Sequence, residues 1–123
     1  MPDLSTQDTA HAPHFEEYAI PADSPADFAV RLTGDEMEPW LHAGDILLAE
    51  RRIDLQDGDV GIFLTESGLV FRQVCRDHAG NLYLLSLDRT RSSEDIIVPA
   101  SAARPVTCYG RVLLQQNIPL PTD

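Results

Sequence analysis

Apolar positions along this chain come in short runs, punctuated by Gly, Pro and Asp. Residues 27–32 alternate, with Phe28, Val30 and Leu32 on one side, and this predicts a half-buried strand. Residues 46–49 form an unbroken apolar run between Gly44-Asp45 and Glu50-Arg51-Arg52, which predicts a strand buried on both faces. After the turn signal Asp57-Gly58-Asp59, Val60, Ile62 and Leu64 alternate. Glu66-Ser67-Gly68 then reads as a hairpin loop into residues 69–76. The loop His78-Ala79-Gly80-Asn81 leads to Leu82–Leu85, the run Ile96–Val98 stops at Pro99, and residues 106–114 form a last β-rich run around Gly110. Turn signals recur about every ten residues and no long stretch repeats at 3.6, so the pattern predicts a mainly β domain of about seven to nine short strands. Residues 37–41, with Pro39 at an early position, are the one helical turn the sequence offers.

The length, 123 residues, suits one domain. Residues 1–13 are rich in Pro, Ser, Thr and Asp and read as a flexible lead-in or linker remnant. The domain itself is expected over 14–115, with 116–123 as a C-terminal tail. With 43% hydrophobic and 24% charged residues the composition is globular. No stretch approaches the roughly 18–20 apolar residues of a membrane-spanning helix. The polar, acidic start is neither a secretory signal nor a transit peptide, which gives a cytoplasmic expectation.

Charge narrows the function. Twenty acidic against nine basic residues leave −11, and every basic residue is an arginine. Such a surface repels a phosphate backbone, so direct DNA binding by this chain is not expected. Without lysine, any mechanism that needs a neutral amine as base or Schiff-base former is excluded. Cys75 and Cys108 stand outside any CxxC context. One disulfide or two buried thiols would fit, and the thiols are favoured.

Candidate chemistry is sparse. Asp35, Glu36 and Glu38 cluster, but acid–base carboxylate pairs need separated environments and a cleft, whereas neighbours on a turn splay apart. His11 and His14 have metal-like spacing in the lead-in without a third ligand. His42 and His78 fall in loops with no nearby nucleophile, and Arg51-Arg52 reads as a solvated turn. No metal or cofactor is expected. Trp40 beside Met37 reads as a cap on the core, the alternative being an exposed partner site.

Residues 28–45, FAVRLTGDEMEPWLHAGD, resemble the peptidase domain of the LexA, UmuD and phage CI-type repressor family. That family carries a strand, then Gly-Asp-Ser-Met-x-Pro, then Gly-Asp and an apolar strand. Gly34-Asp35-Glu36-Met37-Glu38-Pro39 matches every fixed position but one. Residues 55–60 resemble the turn into the next strand, 68–74 the strand that carries the catalytic lysine, 82–88 the strand after it, and Tyr109-Gly110-Arg111-Val112 the closing Gly-Arg-Val. Signal peptidases share the theme, but a short chain without an anchor resembles the repressor side more. The resemblance implies bent, partly barrel-like sheets with at most one short helical turn.

In that family a serine attacks a peptide carbonyl after a buried, neutral lysine takes its proton. Here the two positions hold Glu36 and Arg72. A carboxylate is a poor nucleophile towards an amide, and arginine does not give up its proton. No Ala-Gly or Cys-Gly bond precedes Gly34 as a self-cleavage site. The resemblance therefore implies a pseudo-enzyme with degenerate dyad positions Glu36 and Arg72 on retained motif residues Gly34, Asp35, Met37 and Pro39. Alternation puts Arg72 on the apolar side of Val70 and Val74, where it needs a partner. Glu36 is placed to be that partner in a bidentate pair, the alternative being two side chains in water.

The role so implied is a non-cleaving dimerisation or effector domain of a repressor-like transcription regulator, with a homodimer contact through the closing strand at Tyr109, Val112 and Leu113. DNA would be reached only indirectly, through a helix-turn-helix that does not fit in residues 1–14. Two readings compete with it. One is a degenerate peptidase that still binds a peptide or a family partner in its cleft, as UmuD-like proteins partner polymerases. The other is an altered enzyme using Glu36 as a base.

Overall fold

The computed structural model describes residues 18–66, 68–102 and 106–121. The expected lead-in, with His11 and His14, lies outside the described residues. Among the described residues seven strands form one antiparallel sheet: β1 (Phe28–Arg31), β2 (Ile46–Glu50), β3 (Val60–Thr65), β4 (Gly68–Arg76), β5 (Leu82–Leu85), β6 (Ile96–Val98) and β7 (Thr107–Val112). Their order is β1-β2-β7-β3-β4-β5-β6. The mainly β expectation is met, and the sheet stays open, with β1 and β6 as its edges. A 3₁₀ segment, Arg89–Glu94, was not predicted.

Alternation along the central strands divides the apolar side chains between two faces. On β4, Leu69 and Phe71 join a cluster with Val30, Leu32, Met37, Ile62, Val112 and Ile118. Val70 and Val74 join the opposite one, with Leu55, Phe63 and Leu84. The β3–β4 register keeps the faces matched: Ile62 lies opposite Phe71, Phe63 opposite Val70, and Gly61 opposite Arg72. A register shift between Ile62 and Phe63, with Gly110 and Cys108 as their partners, gives β7 one extra residue, Tyr109.

Expected double-sided burial of residues 46–49 is not what forms. In β2 only Ala49 is fully buried and Ile46 is exposed. β2 pairs with β1 along Ile46–Ala49 but meets β7 only through Ala49–Val112 and Glu50–Arg111, and Leu47 and Leu48 stay half-buried. Part of the C-terminal tail packs into the core. Ile118 is buried in the first cluster, and the fully buried amide of Gln73 donates from Nε2 to its carbonyl at 2.8 Å and to that of Gly58 at 3.2 Å.

Candidate functional site

The motif loop is an excursion between β1 and β2 that is pinned at its neck. The Leu32 N–H donates to the Asp45 carbonyl at 2.8 Å, and the Gly44 N–H donates to the Leu32 carbonyl at 2.7 Å. Inside the loop the Leu41 N–H reaches the Met37 carbonyl at 3.0 Å and closes a turn, but the helical turn expected over 37–41 does not form. The Glu38–Pro39 peptide is cis. Met37 is fully buried in the first cluster, and this anchor orients its neighbours.

The three carboxylates of the loop go separate ways, as adjacent turn residues do. Glu36 meets Arg72, Asp35 meets Arg91, and Glu38 meets His42 at 2.5 Å. Glu36 Oε2 and Arg72 Nη1 are 3.1 Å apart, with side chains 17% and 5% exposed. The two side chains meet in a largely buried pair, but its geometry departs from the bidentate expectation. Arg72 Nη1 also donates to the Phe71 carbonyl at 2.8 Å, while Nε and Nη2 turn to the Glu94 carbonyl at 3.4 and 3.3 Å. A guanidinium on an apolar face needs all its donors satisfied, and two backbone carbonyls do what a second carboxylate oxygen would have done.

Gly34 makes room for this. A Cβ placed on it would lie 2.0 Å from Glu36 Oε1, so the carboxylate folds back over the glycine on its way to Arg72. A Cβ at 34 would force the Glu36 carboxylate to shift from this position.

The opposite wall comes from the 3₁₀ segment. Arg91 bonds Asp35 on one side and Glu94 on the other, with Nη2 2.5 Å from Glu94 Oε2. The Asp88 N–H donates to the Glu36 carbonyl at 2.9 Å. Charges thus run in a ring: Glu36 to Arg72, Arg72 to the Glu94 carbonyl, the Glu94 carboxylate to Arg91, and Arg91 to Asp35. Hydrogen bonds that Arg91 donates to Asp35, ahead of those to Glu94, raise its pKa further and keep it charged.

Beneath the ring, fully buried Ser86 donates its N–H to Asp95 Oδ1 at 2.9 Å, and Arg89 grips both oxygens of Asp95 at 3.1 and 3.0 Å. Burial alone would raise the Asp95 pKa, but the bonds from Arg89 and Ser86 outweigh it and hold the group below its usual range. Arg91, Glu94, Ser86, Arg89 and Asp95 were not singled out from sequence. One local signal existed: Asp88 caps the segment, its Oδ1 accepting from the N–H and hydroxyl of Thr90.

Other candidates stand apart from this ring. Val112 is buried in the core, Tyr109 is half-buried against the same cluster, and Leu113 is half-buried just past β7, whose two edges are occupied by β2 and β3. Trp40 is 37% exposed and is not the core cap expected. Met37, three residues earlier, is the loop's fully buried apolar side chain instead. Cys75 and Cys108 are free and half-buried, and burial raises both thiols. His78 is exposed. Among the described residues no group of three or more His, Cys, Asp or Glu is placed to hold a metal, and no helix is long and apolar enough to cross a membrane.

Residues 2–113 match a family model described as Peptidase S24-like. No curated protein matches the chain at a significant level.

Proposed function

We propose, from the premise that this chain belongs to the Peptidase S24-like family, that it is a non-cleaving member serving as a dimerisation or effector domain of a repressor-like transcription regulator. One observation carries the reading: the donors of Arg72 are committed to Glu36, Phe71 and Glu94. Amide hydrolysis by a Ser–Lys pair needs a hydroxyl nucleophile and a base that can become neutral. Glu36 brings a carboxyl group and no hydroxyl, Arg72 brings a guanidinium where the chemistry needs an amine, and the chain has no lysine to replace it.

The ring also argues against a peptide held in the old cleft. A peptide would have to displace the Glu94 carbonyl or the Glu36 carboxylate from a buried guanidinium, leaving a charged group unpaired. The larger surface groove, about 910 Å³, is lined by residues such as Gln56, Asp59 and Asn117 and includes neither Glu36 nor Arg72. With −11 of net charge, the domain would act on DNA only through an attached or partner helix-turn-helix.

The test is prolonged incubation of the purified chain, alone and with peptides carrying Ala-Gly bonds, followed by intact-mass measurement. The expected result is no fragment and no cleaved peptide at neutral or alkaline pH. Fragments that accumulate with time, and vanish in Arg72→Ala or Glu36→Ala, would overturn the reading.

A further inference from the structure

The chain that leaves β7 is fastened by side chains and carbonyls, and hardly at all by its N–H groups. The Leu113 N–H donates to the Leu48 carbonyl at 2.8 Å, and after it no backbone N–H of residues 114–120 finds a protein acceptor among the described residues. Pro119 and Pro121 have no N–H to give, and each holds the residue before it extended. What seats the segment is apolar packing and one amide. Leu114 packs against the first core cluster, and Ile118 is buried in it between exposed Asn117 and Pro119. The amide is that of Gln73, whose Nε2 donates to the Ile118 carbonyl at 2.8 Å and reaches that of Pro119 at 3.5 Å.

Gln73 is an unbalanced clamp. Its Nε2 serves the carbonyls of Gly58, Ile118 and Pro119, while its buried Oε1 has no hydrogen-bond partner. A buried acceptor without a donor costs free energy for as long as the tail stays seated. All three residues that accept from the amide line the larger surface groove, so Gln73 backs onto that groove. An extended segment that gives an aliphatic side chain to a slot and its carbonyls to a side-chain donor is bound as a peptide ligand is bound. Here the chain supplies that ligand itself, and the orphaned oxygen marks it as an incomplete match. Charge points the same way. The groove carries two carboxylates, Asp57 and Asp59, against Arg111, which already meets Glu50 at 2.5 Å. Residues 114–123 contain no basic residue to answer those acids, whereas a basic segment would be attracted to them.

We propose that residues 114–120 are a releasable strap and that the seat beneath them is a peptide-binding site. In trans it takes an extended segment with a branched aliphatic anchor, an N–H for Gln73 Oε1 and a flanking basic side chain. Lifting the strap opens the Ile118 slot and frees the amide, and the incoming segment fills the one and pairs the other. Gln73 follows Arg72 directly on β4, so the two side chains leave opposite faces of the sheet and the seat is separate from the ion-pair ring. The inference therefore stands apart from the dimerisation reading.

The side-chain amide protons of Gln73 report on the strap directly. Followed by NMR, they should exchange with solvent about a hundredfold faster, relative to their intrinsic rates, than the Val74 N–H, which donates to the Asp59 carbonyl at 2.8 Å. Exchange of both through global unfolding alone overturns the strap. A short acetylated peptide with isoleucine between two lysines is then titrated into the full chain by calorimetry. Ile118→Ser loosens the strap and should tighten binding about tenfold, because more molecules present an open seat. In that background Gln73→Leu should weaken binding about tenfold. Serine for isoleucine in the peptide should abolish binding, and glutamates for the lysines should weaken it, less so as salt rises. If Ile118→Ser fails to fold by circular dichroism, Ile118→Val takes its place, with a smaller gain expected. No binding to the loosened chain, or binding indifferent to Gln73 and to the isoleucine, overturns the site. A loosened chain that sediments as a dimer and binds no peptide makes a second copy the occupant and overturns it as well.

Discussion

Asp35 and Glu36 are neighbours in one loop, and each pairs with an arginine, yet the two pairs live in different solvents. Glu36 and Arg72 are 17% and 5% exposed, whereas Asp35 and Arg91 are 65% and 35% exposed. Water and salt screen the outer pair, so its attraction adds little to what each ion already has in solution. The inner pair has lost that hydration, and desolvation offsets most of its attraction. Neither pair is expected to be a large net source of stability. The difference appears when a pair is broken: the outer partners return to water, while an inner partner left alone is a charge stranded on an apolar face.

The sharpest contrast is therefore between single substitutions at the two neighbours. Glu36→Ala should lower the unfolding free energy by about 3 kcal/mol, measured by urea denaturation, because Arg72 keeps its charge and loses its counter-ion. Gly34→Ala should follow, at about 1–3 kcal/mol, since its Cβ would stand 2.0 Å from Glu36 Oε1 and displace the carboxylate. In the Glu36→Ala background that same glycine change should cost clearly less. An equal cost in both backgrounds would mean that Gly34 serves the backbone and not the acid.

Acid titration gives a smaller effect. Asp95 is held below its unfolded pKa, so it contributes stability at neutral pH that is lost as pH falls from the unfolded value through the folded one. Asp95→Asn should flatten the acid limb of a thermal-stability profile below about pH 4 while lowering the neutral plateau slightly. An unchanged acid limb would place the dominant acid-sensitive carboxylate elsewhere. Asp35→Ala should be the mildest, with no loss resolvable by denaturation at physiological salt. A loss there comparable to that of Glu36→Ala would erase the distinction between the two pairs.

Much of the framework is legible in sequence because short alternating runs translate directly into strands. The runs at 27–32 and 69–76 became β1 and β4 almost to the residue. Side-chain direction on β4 is equally legible: a period of two suffices to put Arg72 with Val70 and Val74. The pairing of Glu36 with Arg72 is a different matter. The two are 36 positions apart, and no periodicity connects them; the family resemblance supplies the placement. The 3₁₀ wall is invisible because it has no buried residue and hence no apolar pattern to read. Its contacts are made by polar groups far apart in sequence, Arg91 with Asp35 and the Asp88 N–H with the Glu36 carbonyl. Trp40 misleads for a related reason, since hydrophobicity says that a residue wants cover but not that Met37 rather than Trp40 receives it.

A double-mutant cycle on Glu36 and Arg72, read by equilibrium urea denaturation, tests the coupling of the buried pair most directly. Glu36→Ala, Arg72→Ala and the double variant should then lose comparable amounts, leaving a coupling of at least about 2 kcal/mol. Small losses that simply add in the double variant would mean that the two side chains act independently and that no ion pair fills the old cleft.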